Sequence, residues 1–297
     1  MTISTRNETP VFFDADGDDL FGIFTEPEPG TSTNGPAVLA LWGAGGFPTF
    51  GKNQVRRRLA HRLAEQGFAS LRIDYRGIGE SGGDGREVDM ADPWVDDALG
   101  AVRWLEGRGF ERVAIIGMCF GGRTALAAAD RVPELAGLAL VAAPVGQVDH
   151  GAAILERPAS WYLNRAFSPG SLRLLIGGPQ AKRRRRLLVA RLGRLLRRGT
   201  AQPQESAAAG SELLGPLESV LRADVPVLFL YGRTDDFYPD FERARSGVLG
   251  RILDGAGRDT AFVRIVDHHI DGLPSVDSQE AFVDTVIEWV SRGFRLD

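Results

Sequence analysis

The residue with the clearest chemical potential is Cys119, the only cysteine in the 297-residue chain, at the apex of Gly117-Met118-Cys119-Phe120-Gly121-Gly122. Val113-Ala114-Ile115-Ile116 before it is apolar and largely β-branched, and Thr124-Ala-Leu-Ala-Ala-Ala129 after it consists mainly of helix formers. This pattern predicts a strand, a tight turn and a helix, with one thiol at the turn. Glycines on both sides permit a strained backbone and a close approach of strand to helix. A lone cysteine is often just a small buried hydrophobe. At the start of a helix, by contrast, exposed N–H groups and the helix dipole favour the thiolate, so the expected role is nucleophile.

A cysteine nucleophile needs a base, and the base needs a group that orients it. The chain has four histidines, His61, His150, His268 and His269. His61 falls inside a predicted helix and reads as structural. Only the pair 268–269 follows directly on a predicted sheet strand, at the carboxyl end where open α/β sheets place their ligands. The acid should lie at the end of another strand, and Gly232-Arg233-Thr234-Asp235-Asp236 offers Asp235 or Asp236, although aspartates are also ordinary turn residues. The glycine loop Gly43-Ala44-Gly45-Gly46 is too short for a P-loop and lacks its Lys-Ser/Thr end. Beside a nucleophile, its N–H groups are better used as half of an oxyanion hole.

These residues must be positioned by a sheet. Residues 10–14 and 20–24 read as strands joined by a hairpin over Ala15-Asp-Gly-Asp-Asp19. Ala37–Trp42 is a short, wholly apolar run, as expected of a parallel strand covered on both faces. A helix over 53–66 follows, capped by Asn53 and stopped by Gly67. Strand 69–74, helix 93–106, the strand into the cysteine turn, and strand 137–142 continue the alternation. It resumes with strands 226–231 and 261–266 and closes with an amphipathic helix over 279–293. Such alternation means a mostly parallel sheet with helices on both faces. The break over 150–222 reads as an inserted helical cap, with 200–215 low in bulky residues, so the core comprises 1–149 and 223–297.

Composition narrows the class. The chain is 43% hydrophobic and 25% charged with a net charge of −4, an ordinary globular balance that argues against a general nucleic-acid binder. One cysteine cannot form an intramolecular disulfide, so a cytoplasmic home is the simplest expectation. No secretory leader is recognised and no apolar stretch approaches the roughly 20 residues of a membrane span. One cysteine and scattered histidines make no metal-ligand set, and no cofactor is expected. The segment Lys182-Arg-Arg-Arg-Arg186 with Arg191, Arg194, Arg197 and Arg198 admits a solvated face, or contact with an acidic carrier protein or CoA-type substrate.

Taken in order, Trp42-Gly-Ala-Gly-Gly46, Asp74-Tyr-Arg-Gly-Ile-Gly-Glu-Ser81, Gly117-Met-Cys-Phe-Gly121, Gly232-Arg-Thr-Asp235 and Asp267-His268 resemble the α/β-hydrolase superfamily over nearly the whole chain. The chain order nucleophile, acid, histidine is that family's order. The resemblance implies a catalytic triad of Cys119, Asp235 and His268, with His269 a close rival, and oxyanion donors on the backbone of Phe120 and of Ala44 or Gly45. Cysteine in place of serine is similar to the elbow of dienelactone hydrolases. The insertion is more like that of capped hydrolases found in biosynthetic clusters, and Trp42 stands where many members carry histidine. The implied chemistry is acyl transfer or hydrolysis of a small-molecule ester, lactone or thioester. A lyase or cyclase using His268 as a base, or a non-catalytic binding descendant, are the alternatives.

Overall fold

The apolar runs form the sheet that their composition predicts. In the computed structural model, which describes residues 7–31, 35–43, 52–85, 88–145, 211–257 and 260–294, the strands are β1 (Glu8–Ala15), β2 (Asp18–Thr25), β3 (Ala37–Leu41), β4 (Ser70–Ile73), β5 (Val113–Met118), β6 (Leu135–Val141), β7 (Val227–Gly232) and β8 (Ala261–Val266). They make one sheet in the order β1-β2-β4-β3-β5-β6-β7-β8. β1 and β2 pair antiparallel, β2 meets β4 antiparallel, and every other pairing is parallel. This is the α/β-hydrolase fold. The first hairpin turns on Asp16 and Gly17, both at positive φ (57° and 88°), as a two-residue turn matched to strand twist requires.

Seven α-helices cover the sheet among the described residues: α1 (Val55–Glu65), α2 (Val95–Glu106), α3 (Phe120–Ala128), α4 (Ser211–Arg222), α5 (Tyr238–Arg245), α6 (Val248–Gly255) and α7 (Val276–Gly293). β3, β5 and β7 are buried along their whole length because helices lie over both faces. On one face, Val38, Ala40, Ile116, Met118 and Leu230 pack with Leu59 and Leu63 of α1 and Phe282, Val286 and Val290 of α7. The described segments all belong to one compact unit.

The structure corrects several boundaries. Asn53 does not cap α1. It lies at φ 50° in a 3-10 turn, and the capping position falls on Gln54, also left-handed and without a side-chain cap bond. Gly67 ends α1 as expected, with φ 85° and its N–H on the Ala64 carbonyl. α7 starts three residues early because Ser275 and Ser278 form a reciprocal capping box. Residues 211–215, read as part of a sequence low in bulky side chains, open α4, which packs against α3. The arginine-rich segment and the rest of the expected cap, 150–210, lie outside the described residues.

Candidate active site

The turn at residue 119 has the geometry the glycine pattern implies. Cys119 lies between β5 and α3 at φ 52°, ψ −117°, a strained conformation for a residue with a Cβ. Its N–H donates to the Val141 carbonyl at 2.9 Å, and its carbonyl accepts from Gly122 N–H at 3.0 Å. The flanking glycines are needed for packing. A Cβ on Gly117 would come within 2.4 Å of the Gly121 carbonyl oxygen, and one on Gly121 within 2.4 Å of the Leu41 carbonyl oxygen. Side chains there would push the elbow away from β3 and β5.

The sulfur is partly buried, and the Phe120 N–H points at it. Gly43, which opens the glycine loop, has a Cβ position 4.0 Å from Sγ, so the expected oxyanion loop leaves β3 beside the thiol. Ala44 lies outside the described residues. The thiolate expected from the helix N-terminus is not favoured here. Burial, together with the charges of Asp271 and Asp236, pushes the Cys119 thiol up to about 12, and the Phe120 N–H offsets only part of this. The free site therefore carries a neutral thiol.

Asp235 is buried at the end of β7 and ties two loops together. One carboxylate oxygen accepts from Gly232 N–H at 2.6 Å, and the other from the N–H groups of Ile270 (2.6 Å) and Asp271 (2.9 Å). Asp236, the alternative, is exposed. The imidazole beside Asp235 belongs to His269, not His268. His269 Nδ1 is 3.6 Å from Asp235 Oδ1 and 2.9 Å from the Thr234 carbonyl oxygen. A carbonyl can only accept, so Nδ1 carries the proton and Nε2 is left as the acceptor in the neutral ring. The His268 side chain is exposed, and its backbone carbonyl packs against Gly232 instead.

Sequence reasoning missed two neighbours. Asp271, whose charge reaches the thiol, lies in the loop already read for its histidine. Arg56, in the first turn of α1, is buried with its guanidinium 4.9 Å over the Trp42 ring. Its only sequence signal is an arginine at an apolar helix position. No group of three or more His, Cys, Asp or Glu suited to a metal occurs among the described residues. Nor is any helix among them long and apolar enough to cross a membrane. Two surface depressions, about 610 and 410 Å³, both border Arg76 and include neither Cys119 nor Asp235 in their walls.

Comparison with known proteins agrees with this frame. Residues 53–240 match the family described as "Serine aminopeptidase, S33". Among solved structures, the esterase Pf2001 of Pyrococcus furiosus superposes with a TM-score of 0.61 at 15% identity, covering 98% of this chain and 96% of that one. The proline iminopeptidase of Mycobacterium smegmatis gives 0.60 at 16% identity, covering 96% and 98%. The α/β hydrolase GrgF from Penicillium sp. sh18 gives 0.58 at 20% identity, covering 97% and 99%. None of the curated proteins matches the chain in sequence. The matched span exceeds half of the chain, and it runs through the elbow and the acid loop, so the protein belongs to the serine aminopeptidase S33 family of α/β-hydrolases and is a hydrolase.

Proposed function

We propose that the protein cleaves or transfers acyl groups through Cys119, with His269 as general base and acid and Asp235 as the residue that orients the histidine loop. The substrate class is a small-molecule ester, lactone or thioester. As Sγ attacks the carbonyl carbon, its proton passes to His269 Nε2. The Phe120 N–H and an N–H of the glycine loop, Ala44 by the sequence pattern, stabilise the oxyanion at about 3 kcal/mol each. Collapse breaks the bond to the leaving group, which takes the proton from His269 and leaves a thioester on Cys119. Water, deprotonated by His269, then attacks the thioester. The tetrahedral adduct expels Cys119, which recovers its proton from His269. An amine or alcohol in place of water gives transfer or ring closure. A CoA-type or carrier-bound donor, meeting the arginine-rich segment 182–198, belongs to the same proposal, as does a cytoplasmic, biosynthetic setting.

The observation that carries this reading is the strained Cys119 backbone with the Phe120 N–H aimed at the sulfur, since a merely buried thiol needs neither. The raised thiol favours a second reading, in which His269 removes a proton from substrate and no covalent adduct forms. Intact-protein mass spectrometry after mixing with p-nitrophenyl acetate separates them. The covalent reading requires an acetyl adduct on the wild type that Cys119→Ala lacks. Turnover by Cys119→Ala at the wild-type rate would remove the thiol from the mechanism. A panel of p-nitrophenyl esters, lactones, acyl thioesters and aminoacyl p-nitroanilides then assigns the bond cleaved.

A further inference from the structure

The backbone leaving β6 is tied to both halves of the site. Val141 accepts the N–H of Cys119 at 2.9 Å. Ala142 follows at φ 43°, a left-handed conformation uncommon for alanine, with its N–H on the Leu230 carbonyl at 2.8 Å. The Ala143 carbonyl accepts from the Tyr231 hydroxyl at 2.5 Å, and the Pro144 carbonyl from Arg123 Nη1 at 3.2 Å. Arg123 Nε also donates to the Met90 carbonyl at 2.6 Å. Ala143 packs directly on the elbow helix, because a Cβ on Gly122 would come within 2.5 Å of its own. All four residues from Val141 to Pro144 are buried.

Two buried side chains thus grip consecutive carbonyls of one strained turn. Arg123 comes from the first turn of the helix that carries the nucleophile. Tyr231 is the residue before Gly232, whose N–H binds the Asp235 carboxylate. Burial, and then the charge of Asp235, raise the Tyr231 phenol well above its ordinary value, so it remains a donor. A turn held in a sparsely populated conformation persists only where its surroundings over-determine it. Here those surroundings are the nucleophile elbow and the acid strand.

We infer that the turn Ala142–Pro144 sets the distance between the Cys119 elbow and the Asp235 loop, and that Tyr231 and Arg123 are positioning residues for the reaction at Cys119. The inference rests on the acyl-transfer reading above. Neither side chain touches the reacting atoms. Their effect is on geometry, where displacement on the order of 1 Å can cost about a hundredfold in rate.

The test compares Tyr231→Phe, Arg123→Lys, their double variant and Cys119→Ala in the full chain. The readouts are steady-state turnover of p-nitrophenyl acetate, iodoacetamide labelling of Cys119 and thermal melting. Each single variant should lower kcat on the order of tenfold while KM stays within about twofold, and should change the labelling rate of Cys119 at temperatures well below melting. The double variant should be no worse than the poorer single one, because both release the same turn. Wild-type kcat and wild-type labelling in either folded variant would overturn the inference, as would a rise in KM alone. Should Tyr231→Phe fail to fold, Arg123→Lys decides on the same criteria, and the labelling rate decides where the ester is not turned over. Wild-type turnover by Cys119→Ala defeats the nucleophile reading itself. An inactive Cys119→Ala beside a fully active Tyr231→Phe defeats only the positioning role.

Discussion

Asp235 and His269 meet at 3.6 Å, but the shorter bonds of that carboxylate go to main-chain N–H groups of Gly232, Ile270 and Asp271. The acid therefore fixes the loop that carries the histidine, and the Thr234 carbonyl fixes the ring itself. Replacing Asp235 should harm fold and activity together. In Asp235→Asn one carboxylate oxygen becomes an amide donor facing an N–H. The expected losses are about 2–3 kcal/mol of stability, from a charge-assisted bond broken in a buried place, and on the order of 10³-fold in kcat. Urea unfolding and ester turnover measure the two separately. A fully stable Asp235→Asn would contradict the hydrogen bonding described.

His268 and His269 make opposite predictions. His269→Gln should lower kcat on the order of 10³-fold or more, because an amide oxygen can accept a hydrogen bond but cannot take up the thiol proton. His268→Gln should keep kcat within about threefold, as expected of an exposed side chain away from the acid. The reverse outcome would return the base to His268.

Most of the frame was legible in the chain because parallel strands buried on both faces read as unbroken apolar runs, as in Ala37–Leu41 and Val113–Met118. The cysteine turn was legible for a related reason, since Gly117 and Gly121 are demanded by backbone approach and Gly122 by the Ala143 methyl. Helices α5 and α6 were not, because eight residues anchored by Phe241 or Leu249 carry too little periodicity. The choice between His268 and His269 was out of reach, since a loop past a strand has no period to say which ring turns inward. The raised thiol was equally hidden. It depends on burial and on Asp271 and Asp236, which only the fold brings near the sulfur.

That raised thiol fixes a pH dependence. With its ordinary value of 9.0 moved up to about 12, Cys119 should label slowly with iodoacetamide at neutral pH and faster as pH climbs. Asp271→Asn removes the larger of the two opposing charges, so labelling at about pH 8 should accelerate several-fold. The folded state holds the thiol proton more tightly than the unfolded chain. This contribution to stability is complete below about pH 9 and is lost as pH rises toward 12. Unchanged labelling in Asp271→Asn would show that its charge does not reach the sulfur.

The opposite sign is expected at the far edge of the sheet. Glu8, on strand β1, accepts a hydrogen bond from Arg72 Nη2 at 2.5 Å, and Arg57 Nε and His61 Nε2 lie 2.9 Å and 3.4 Å from its carboxylate oxygens. Burial alone would raise its carboxyl, but the Arg72 hydrogen bond and the charges of Arg72, Arg57 and His61 prevail and lower it below 4.5. Its stabilisation is therefore present above pH 4.5 and is lost as the medium is acidified through the lowered value. Glu8→Gln leaves the buried Arg72 guanidinium without its carboxylate, at a cost of about 3 kcal/mol near neutral pH. The variant should also flatten the acid limb of the stability curve, because the group that titrates there is gone. Chemical unfolding of wild type and Glu8→Gln between about pH 3 and pH 7 checks both effects. Curves that stay parallel across that range would mean Glu8 does not titrate with folding. Glu8 lies on the β1 edge strand, whereas Cys119 follows β5 and Asp235 follows β7, so ester turnover of folded Glu8→Gln should stay within about twofold of wild type at neutral pH.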